Sequence, residues 1–470
     1  MDYHICRLIM KKFKTIIAGA AFILATASVQ AQNTESGYFT DGYLFRHEMN
    51  PALSNSQNYI SIPVFGRMDF TLRGNIGVQN LLYNVNGRTS LFTNPLVPTS
   101  EFLGNIHDKN LLGSDVKVKI LGAGFSEFGG YNTISVNMRV NEDSNIPGSL
   151  FALAKEGLTN RTYDIRDFRA HADAYAELSF GHSRQIGDRW RVGAALKFLF
   201  GGGNIDAHLD KAELTFNGED WTAVTNATVE SSVKGLSYKT TTVERGPEGK
   251  KTPHTYVNAV DLKSPGYNGF GMAVDLGAEF RLNEDWSFSA AVLDFGFISW
   301  SNKMVASTNG DRTFSLDQYT FNADKDADNS FGKEIDRMTG NLATLYELQD
   351  CGDMGKYARM LGCTMNIGVG YTLPVYRKMT FGLLNTTRFH GDYSWTDFRL
   401  SANWKATKAF SMGANFAAGT YGCAFGWIIN VHPNGFNIFL AMDRTVGKLA
   451  KQGLPLSSNA SATLGMNIPF

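Results

Sequence analysis

Nine charged residues carry the chemistry this chain offers: Glu177, Lys197, Asp275, Glu279, Arg281, Arg388, Asp397, Arg399 and Lys405. Each lies in a stretch where apolar and polar residues alternate, and each falls on the polar phase. Both signs are present. A pore selective for one charge needs a ring of one sign, so a mixed set has two other readings. One is an ion-pair network that braces strands or pins a plug. The other is a hydrophilic path for a solute. The first is favoured because charges at membrane depth are costly unless paired or solvated.

Other reactive groups give weaker signals. Asp324, Asp326 and Asp328 alternate as the first ligands of a calcium loop do. The pattern then breaks, with Asn329 where glycine is needed and Ile335 at the closing position, so a solvated acidic loop tip is the alternative and no metal site is expected. Beyond residue 31 there are three cysteines, Cys351, Cys363 and Cys423. Spacing alone leaves open whether Cys351 and Cys363 bridge. The histidines show no zinc spacing. The chain has no G-x-S-x-G elbow, no H-E-x-x-H and no phosphate loop. No enzymatic activity and no cofactor are expected, with a Ser–His pair across strands left open.

The elements that position the charges are strands. Thr396, Phe398, Leu400, Ala402, Trp404 and Ala406 alternate with Asp397, Arg399, Ser401, Asn403 and Lys405. Phe270, Met272, Val274, Leu276, Ala278, Phe280 and Leu282 alternate with a second set containing Asp275, Glu279 and Arg281. Period two puts the two sets on opposite faces. Apolar outside and polar inside is the pattern of a transmembrane β-barrel. Mean hydropathy is −0.18, and beyond the N-terminus no apolar run reaches the ~20 residues of a membrane helix. Net charge is +0, which gives no reason to expect a nucleic-acid partner.

The ends agree. Lys11, Lys12 and Lys14 precede an apolar stretch at 15–26, and Val29-Gln30-Ala31 fits a cleavage site, so residues 1–31 read as a signal peptide. At the other end Ala462, Leu464, Met466, Ile468 and Phe470 alternate with polar or small residues. A final amphipathic strand ending in phenylalanine resembles the signal read by the barrel-assembly machinery of Gram-negative outer membranes. Counting turns over 59–470, among them Gly129-Gly130, Asn283-Glu284-Asp285 and His432-Pro433-Asn434-Gly435, gives about fourteen antiparallel strands with both ends on the periplasmic side. Long outer loops are expected at about 79–115, 141–171, 201–268 and 301–362, with a helix from Leu150 to Glu156 capped by Ser149 and helical spacing at Leu342, Leu345, Tyr346 and Leu348. Trp190, Trp286 and Phe410 follow short turns and are expected in an aromatic girdle.

Asn50-Pro51-Ala52, just before the first strand, resembles the corresponding segment of FadL-type fatty-acid channels. It is also similar to that of Bacteroidota outer-membrane barrels, including the PorV-like shuttle protein of the gliding-associated secretion system. The whole chain looks most like a Bacteroidota outer-membrane family of unassigned function. The resemblance implies that residues 32–58 form a hatch, with Asn50, Pro51 and Ala52 inside the lumen. It implies passage of a hydrophobic or small amphipathic solute, with outer-membrane lipid around the barrel. The alternative is a structural or secretion-accessory barrel that docks protein partners through its outer loops.

Overall fold

The computed structural model describes residues 34–55, 57–157, 159–217, 220–245, 251–320, 322, 327, 329–445 and 459–470. Fourteen antiparallel strands close on themselves. The first, β1, comes in two pieces, Tyr59–Ser61 and Met68–Gly74. It is followed by β2 (Lys109–Glu127), β3 (Gly130–Pro147), β4 (Arg169–Ile186) and β5 (Trp190–Asn217). Next come β6 (Gly269–Arg281), β7 (Trp286–Trp300), β8 (Cys363–Thr372) and β9 (Met379–Phe389). The ring is completed by β10 (Trp395–Thr407), β11 (Phe410–Gly419), β12 (Gly422–Val431), β13 (Asn437–Met442) and β14 (Ala460–Pro469). Each strand pairs with the next, and both pieces of β1 pair with β14 and with β2. Closure leaves the fourteen described strands of the ring without an unpaired edge at membrane depth, where their ladder hydrogen bonds are made within the ring.

Side-chain alternation decides which face is which. On β10, Phe398 and Leu400 are 55% and 61% exposed, while Asp397 and Arg399 are 1% and 2% exposed. The exposed apolar set runs around the ring, through Phe180, Leu196, Phe270, Leu276, Phe288, Phe381, Phe416, Phe425 and Leu440. A soluble protein of this size does not present such a belt to water; the belt is a lipid-facing surface. Trp190, Trp286 and Trp404 lie on it near the short-turn end, and Trp404 Nε1 donates to Tyr376 Oη at 3.0 Å. Among the described residues no helix is long and apolar enough to cross a membrane.

Short connections cluster at one end. Phe128 and Gly129 both have positive φ, 59° and 72°, which is the two-residue hairpin geometry whose twist matches the strands. This turn sits one residue earlier than the Gly129-Gly130 pair expected from the sequence. At the other end strands run further than the alternation alone located them. Strand β5 continues to Asn217 and pairs with Asp220–Val233, and a separate hairpin joins Leu236–Arg245 to Thr252–Leu262. The outer connection expected at 201–268, where strand-like pieces around Val229 and Tyr238 pointed to one hairpin above the membrane, is largely two hairpins. The helix expected after Ser149 spans Gly148–Glu156 and stops at Gly157, φ 73°. Ser149 does not cap it; its hydroxyl donates to the Asp164 carbonyl. A second helix is Phe331–Thr344, and it ends before Leu345, Tyr346 and Leu348, which were expected to continue the helical face.

Candidate functional site

The lumen is filled by the chain's own N-terminal segment. Starting at Thr34, it touches inward-facing residues of most of the ring before entering β1. Thr34 Oγ1 lies 2.8 Å from Thr463 Oγ1 on β14 and donates to Asp69 on β1 at 3.2 Å. The backbone N–H groups of Glu35 and Ser36 donate to the Asp443 carboxylate at 2.9 and 2.6 Å. Arg399 on β10 reaches the Glu35 carboxylate at 2.7 Å. Tyr38 Oη and Ser289 Oγ on β7 are 2.9 Å apart, and Thr40 Oγ1 donates to Asn403 on β10 at 2.9 Å. Asp41 pairs with Lys405. Asn366 on β8 donates to the Met49 carbonyl at 2.8 Å. An apolar cluster of Tyr38, Tyr43, Leu44, Phe45, Met49 and Leu53 packs against Tyr59, Leu384, Ile428 and Phe439 of the wall.

Asn50-Pro51-Ala52 packs directly on the wall. Asn50 Oδ1 accepts the Ala52 N–H at 2.9 Å, holding the turn, while Nδ2 donates to the carbonyls of Ala278 and Ala290 at 3.2 and 3.3 Å. Beneath the turn lie Gly193 on β5 and Gly277 on β6, directly paired in the ladder. A Cβ at Gly193 would collide with the Pro51 carbonyl, and one at Gly277 with Asn50 Oδ1. The two glycines form a flat patch on which this turn rests.

Three acids of the segment meet cations of the wall. Glu35 meets Arg399, Asp41 meets Lys405, and Glu48 meets three groups: Arg67 at 3.1 Å, Lys117 at 2.6 Å and Lys119 at 2.6 Å. Burial raises the Glu48 carboxyl, and the three cations outweigh this and hold it well below the usual carboxylate range. His47, beside it, is lowered by burial to about 4, so it stays neutral near pH 7. On one side the segment stands off from the wall. A polar cavity of about 30 Å³ there is bordered by Glu48, Lys117, Tyr131, Ser135, Ser179 and Lys197.

The nine charges singled out in the sequence fall into several groups. Glu177 pairs with Arg139 at 3.0 Å. Lys197 lies 2.6 Å from both Asp275 and Asp294. Asp397 bridges Arg399 at 3.2 Å and Arg444 at 3.0 Å. Arg388 is buried across the ladder from Trp395. Glu279 and Arg281 are 3.4 Å apart, and Arg281 and Lys405 sit at the exposed rim. Phe470 is exposed, and its N–H donates to Asn58 O at 3.0 Å. Residues 1–31 and the acidic trio Asp324, Asp326 and Asp328 lie outside the described residues. Among the described residues, no group of three or more His, Cys, Asp or Glu is arranged to hold a metal. Cys351, Cys363 and Cys423 are free thiols.

Sequence reasoning missed Glu48, Arg67, Lys117, Lys119, Arg139 and Asp294. The two lysines were legible, since they share the polar phase of one strand. Asp294 was not. It has φ 58° at a bulge where β7 slips against β6, so Leu293 and Asp294 are both buried and strict alternation fails. Ser411 Oγ lies 3.3 Å from His432 Nε2, a Ser–His pair across strands. The serine is buried and its hydroxyl donates to the Asp41 carbonyl at 2.6 Å, so the pair helps seat the segment.

No curated protein matches this chain. Among solved structures it is similar to the toluene transporter TodX of Pseudomonas putida, at 9% identity and TM-score 0.38, covering 95% of each chain. A FadL homologue from Pseudomonas aeruginosa matches at 10% identity and TM-score 0.38, covering 94% of this chain and 98% of that one. The translocator domain of the autotransporter NalP from Neisseria meningitidis matches at 6% identity and TM-score 0.33, covering 95% and 99%. The sequence profile of DUF5723, a family of unknown function, matches residues 51–443, and the chain belongs to that family.

Proposed function

We propose that this chain is a bacterial outer-membrane barrel that passes a small polar or amphipathic solute, with the segment from Thr34 to Asn58 as its gate. The single observation that carries the reading is the seam between that segment and strands β2 to β6. There the wall is lined by hydroxyls and ion-paired charges, and the segment is held by discrete, separable contacts. A permanently solid barrel needs no such wet boundary. The polar lining moves the solute class away from a purely hydrophobic compound. In this reading the short-turn end faces the periplasm, the long loops face outward, and Phe470 serves the assembly machinery after removal of residues 1–31. Deleting residues 32–58 is the test. Conductance in planar bilayers should rise at least tenfold; conductance equal to that of the intact protein removes the gate.

One observation favours docking as a second role. The hairpin Leu236–Arg245/Thr252–Leu262 carries Val260 and Leu262 at 58% and 51% exposure. Long loops on a rigid scaffold are where binding surfaces are commonly built. Loss of a stoichiometric partner on trimming 236–262 would support that role.

A further inference from the structure

The outer end of the ring has a closure of its own. The connection from β9 to β10 is one short turn at 390–394, and it folds inward across the mouth. Gly391, with φ 55°, lets the chain double back. Ser394 staples the turn to itself, its Oγ accepting the His390 N–H at 2.9 Å and donating to the Gly391 carbonyl at 2.7 Å. The side chains of the turn land on β3 and β4, half the ring away. His390 Nδ1 lies 3.3 Å from Asp143 Oδ2 on β3, and Asp392 meets Arg169 on β4 at 3.1 Å. The His390 ring is 5.4 Å from that of His171 on β4, and the Tyr393 ring lies 6.3 Å from it at 25°. Tyr393 is buried there.

The wall under the turn supplies its own partners. Asp143 holds Arg73 of β1 at 2.7 Å. His171 sits between Asp173 and Asp206, 3.4 Å from each, and Asp206 also holds Arg359 at 2.7 Å. Lifting the turn therefore leaves Asp143, His171 and Asp206 each with a charged partner, and the heavy cost of stranding a buried charge is avoided. What is given up is one imidazole–carboxylate pair, some ring packing, and an ion pair whose side chains are 34% and 56% exposed and which is worth little.

We propose that the turn at 390–394 is an outer lid, latched by His390 on Asp143 and acting in series with the segment of residues 34–58. A lightly latched lid opens and recloses often, so it meters a path that the slower segment has opened. The latch also sets a response to acid. His390 faces Asp143 of β3, His171 of β4, Arg388 of β9 and Tyr393 of the turn itself. Burial draws its imidazole below the usual value against the pull of Asp143, and Arg388 and His171 act in the same direction as burial. In the lifted turn His390 meets water and takes a proton near pH ~6.5. The open form thus binds more protons, so closure is at full strength above about pH 6.5 and weakens as the pH falls below it.

This lid presupposes the passage reading, and the experiment keeps the two apart. Hydrogen exchange of residues 390–395 is followed in the intact protein from pH 7.5 to pH 5, normalised at each pH to the unprotected rate. Protection should fall at least about threefold in acid. His390→Gln keeps a donor beside Asp143 and cannot titrate, so its protection at 390–395 should stay flat while residues 46–50 still respond through His47. Conductance reads the barrier. With Cys351, Cys363 and Cys423 replaced by serine, Arg169→Cys and Asp392→Cys are bridged by a short bifunctional thiosulfonate in the 32–58 deletion variant. The bridge should cut conductance at least about tenfold, and reductant should restore it. Protection at 390–395 that ignores pH, or that still falls in His390→Gln, overturns the latch. A bridged barrel that conducts as freely as the unbridged one overturns the lid. A deletion variant that stays shut at pH 7.5 and pH 5 alike, bridged or not, overturns the passage reading and the lid's place in series, while the exchange data still decide the latch.

Discussion

Gly277→Ala adds one methyl group to a strand and should release the lumenal segment. Neither Gly277 nor Gly193 has a positive φ, so alanine suits the barrel backbone and the ladder is undisturbed. The new methyl meets Asn50 Oδ1, Pro51 Cδ at 2.9 Å and Pro51 N at 3.0 Å. Two of these atoms belong to the proline ring and backbone, which cannot rotate away. Overpacking of this kind costs about 1–3 kcal/mol. Lifting the turn also weakens the two hydrogen bonds from Asn50 to Ala278 and Ala290, each worth about 1 kcal/mol. Since these contacts share atoms they do not simply add, and about 2–4 kcal/mol is expected in total. That corresponds to a roughly 30- to 900-fold rise in the released population. The assay is limited proteolysis of the folded barrel, following cleavage within residues 34–58, with bilayer conductance in parallel. Equal protection and equal conductance in a barrel of unchanged circular dichroism and thermal transition would refute the account of how Asn50-Pro51-Ala52 is seated.

Other perturbations test other parts of the arrangement. Arg399→Met leaves Glu35 and Asp397 without their shared cation; it should weaken seating by roughly 3–5 kcal/mol, read as faster hydrogen exchange at residues 35–40. Lowering the pH should loosen the segment around His47, while Glu35 at its start, raised by burial to about 7 when seated, shifts that end the other way. His47 is held near 4 when seated and returns to about 6.5 in water. The released form therefore binds the extra proton, and the contribution of His47 to seating is lost as pH falls from about 6.5 to about 4, up to about 3 kcal/mol. The depressed Glu48 carboxylate keeps its contribution through that window and loses it only at lower pH. Exchange rates of residues 46–50 that stay flat between pH 7 and pH 4 would contradict this. Intact mass should be unchanged by reductant, since Cys351, Cys363 and Cys423 are free. Brominated lipid should quench tryptophan fluorescence through Trp190, Trp286 and Trp404.

The barrel was legible because its signal is one-dimensional. Alternation along β6 and β10 fixes both faces of a strand without knowledge of its neighbours. Turn chemistry at Asn283-Glu284-Asp285 and His432-Pro433-Asn434-Gly435 then gave the order. The outer region was less legible. Strands there pair with one another above the lipid-facing belt, so residues such as Thr222 and Val257 lack a repeating apolar phase. Charges on the inward face were identified at Asp397 and Arg399, where the phase is unbroken, and were passed over at Lys117 and Lys119 although these share such a phase. They were missed at Asp294, where a bulge resets the phase. Partner choice was hidden throughout. Nothing in the sequence near Glu48 indicates that three cations from residues 67–119 converge on it, since that depends on how the segment winds through the ring.

The split first strand has a consequence for how the molecule is made. Strand β1 leads directly out of the lumenal segment and pairs with β14, some 400 residues later. That is the strand pairing most distant in the sequence among the described residues and carries the largest loop-closure cost of the ladder, so it forms late. A segment joined directly to β1 can settle Tyr38, Phe45 and their neighbours on the inner face of the sheet while the sheet is still open. Docked in this order, the segment already lies against the open sheet when the last two strands meet. Closing the seam and stoppering the tube are then one event in biogenesis, and an intermediate lacking the segment would be a sheet still open between β1 and β14.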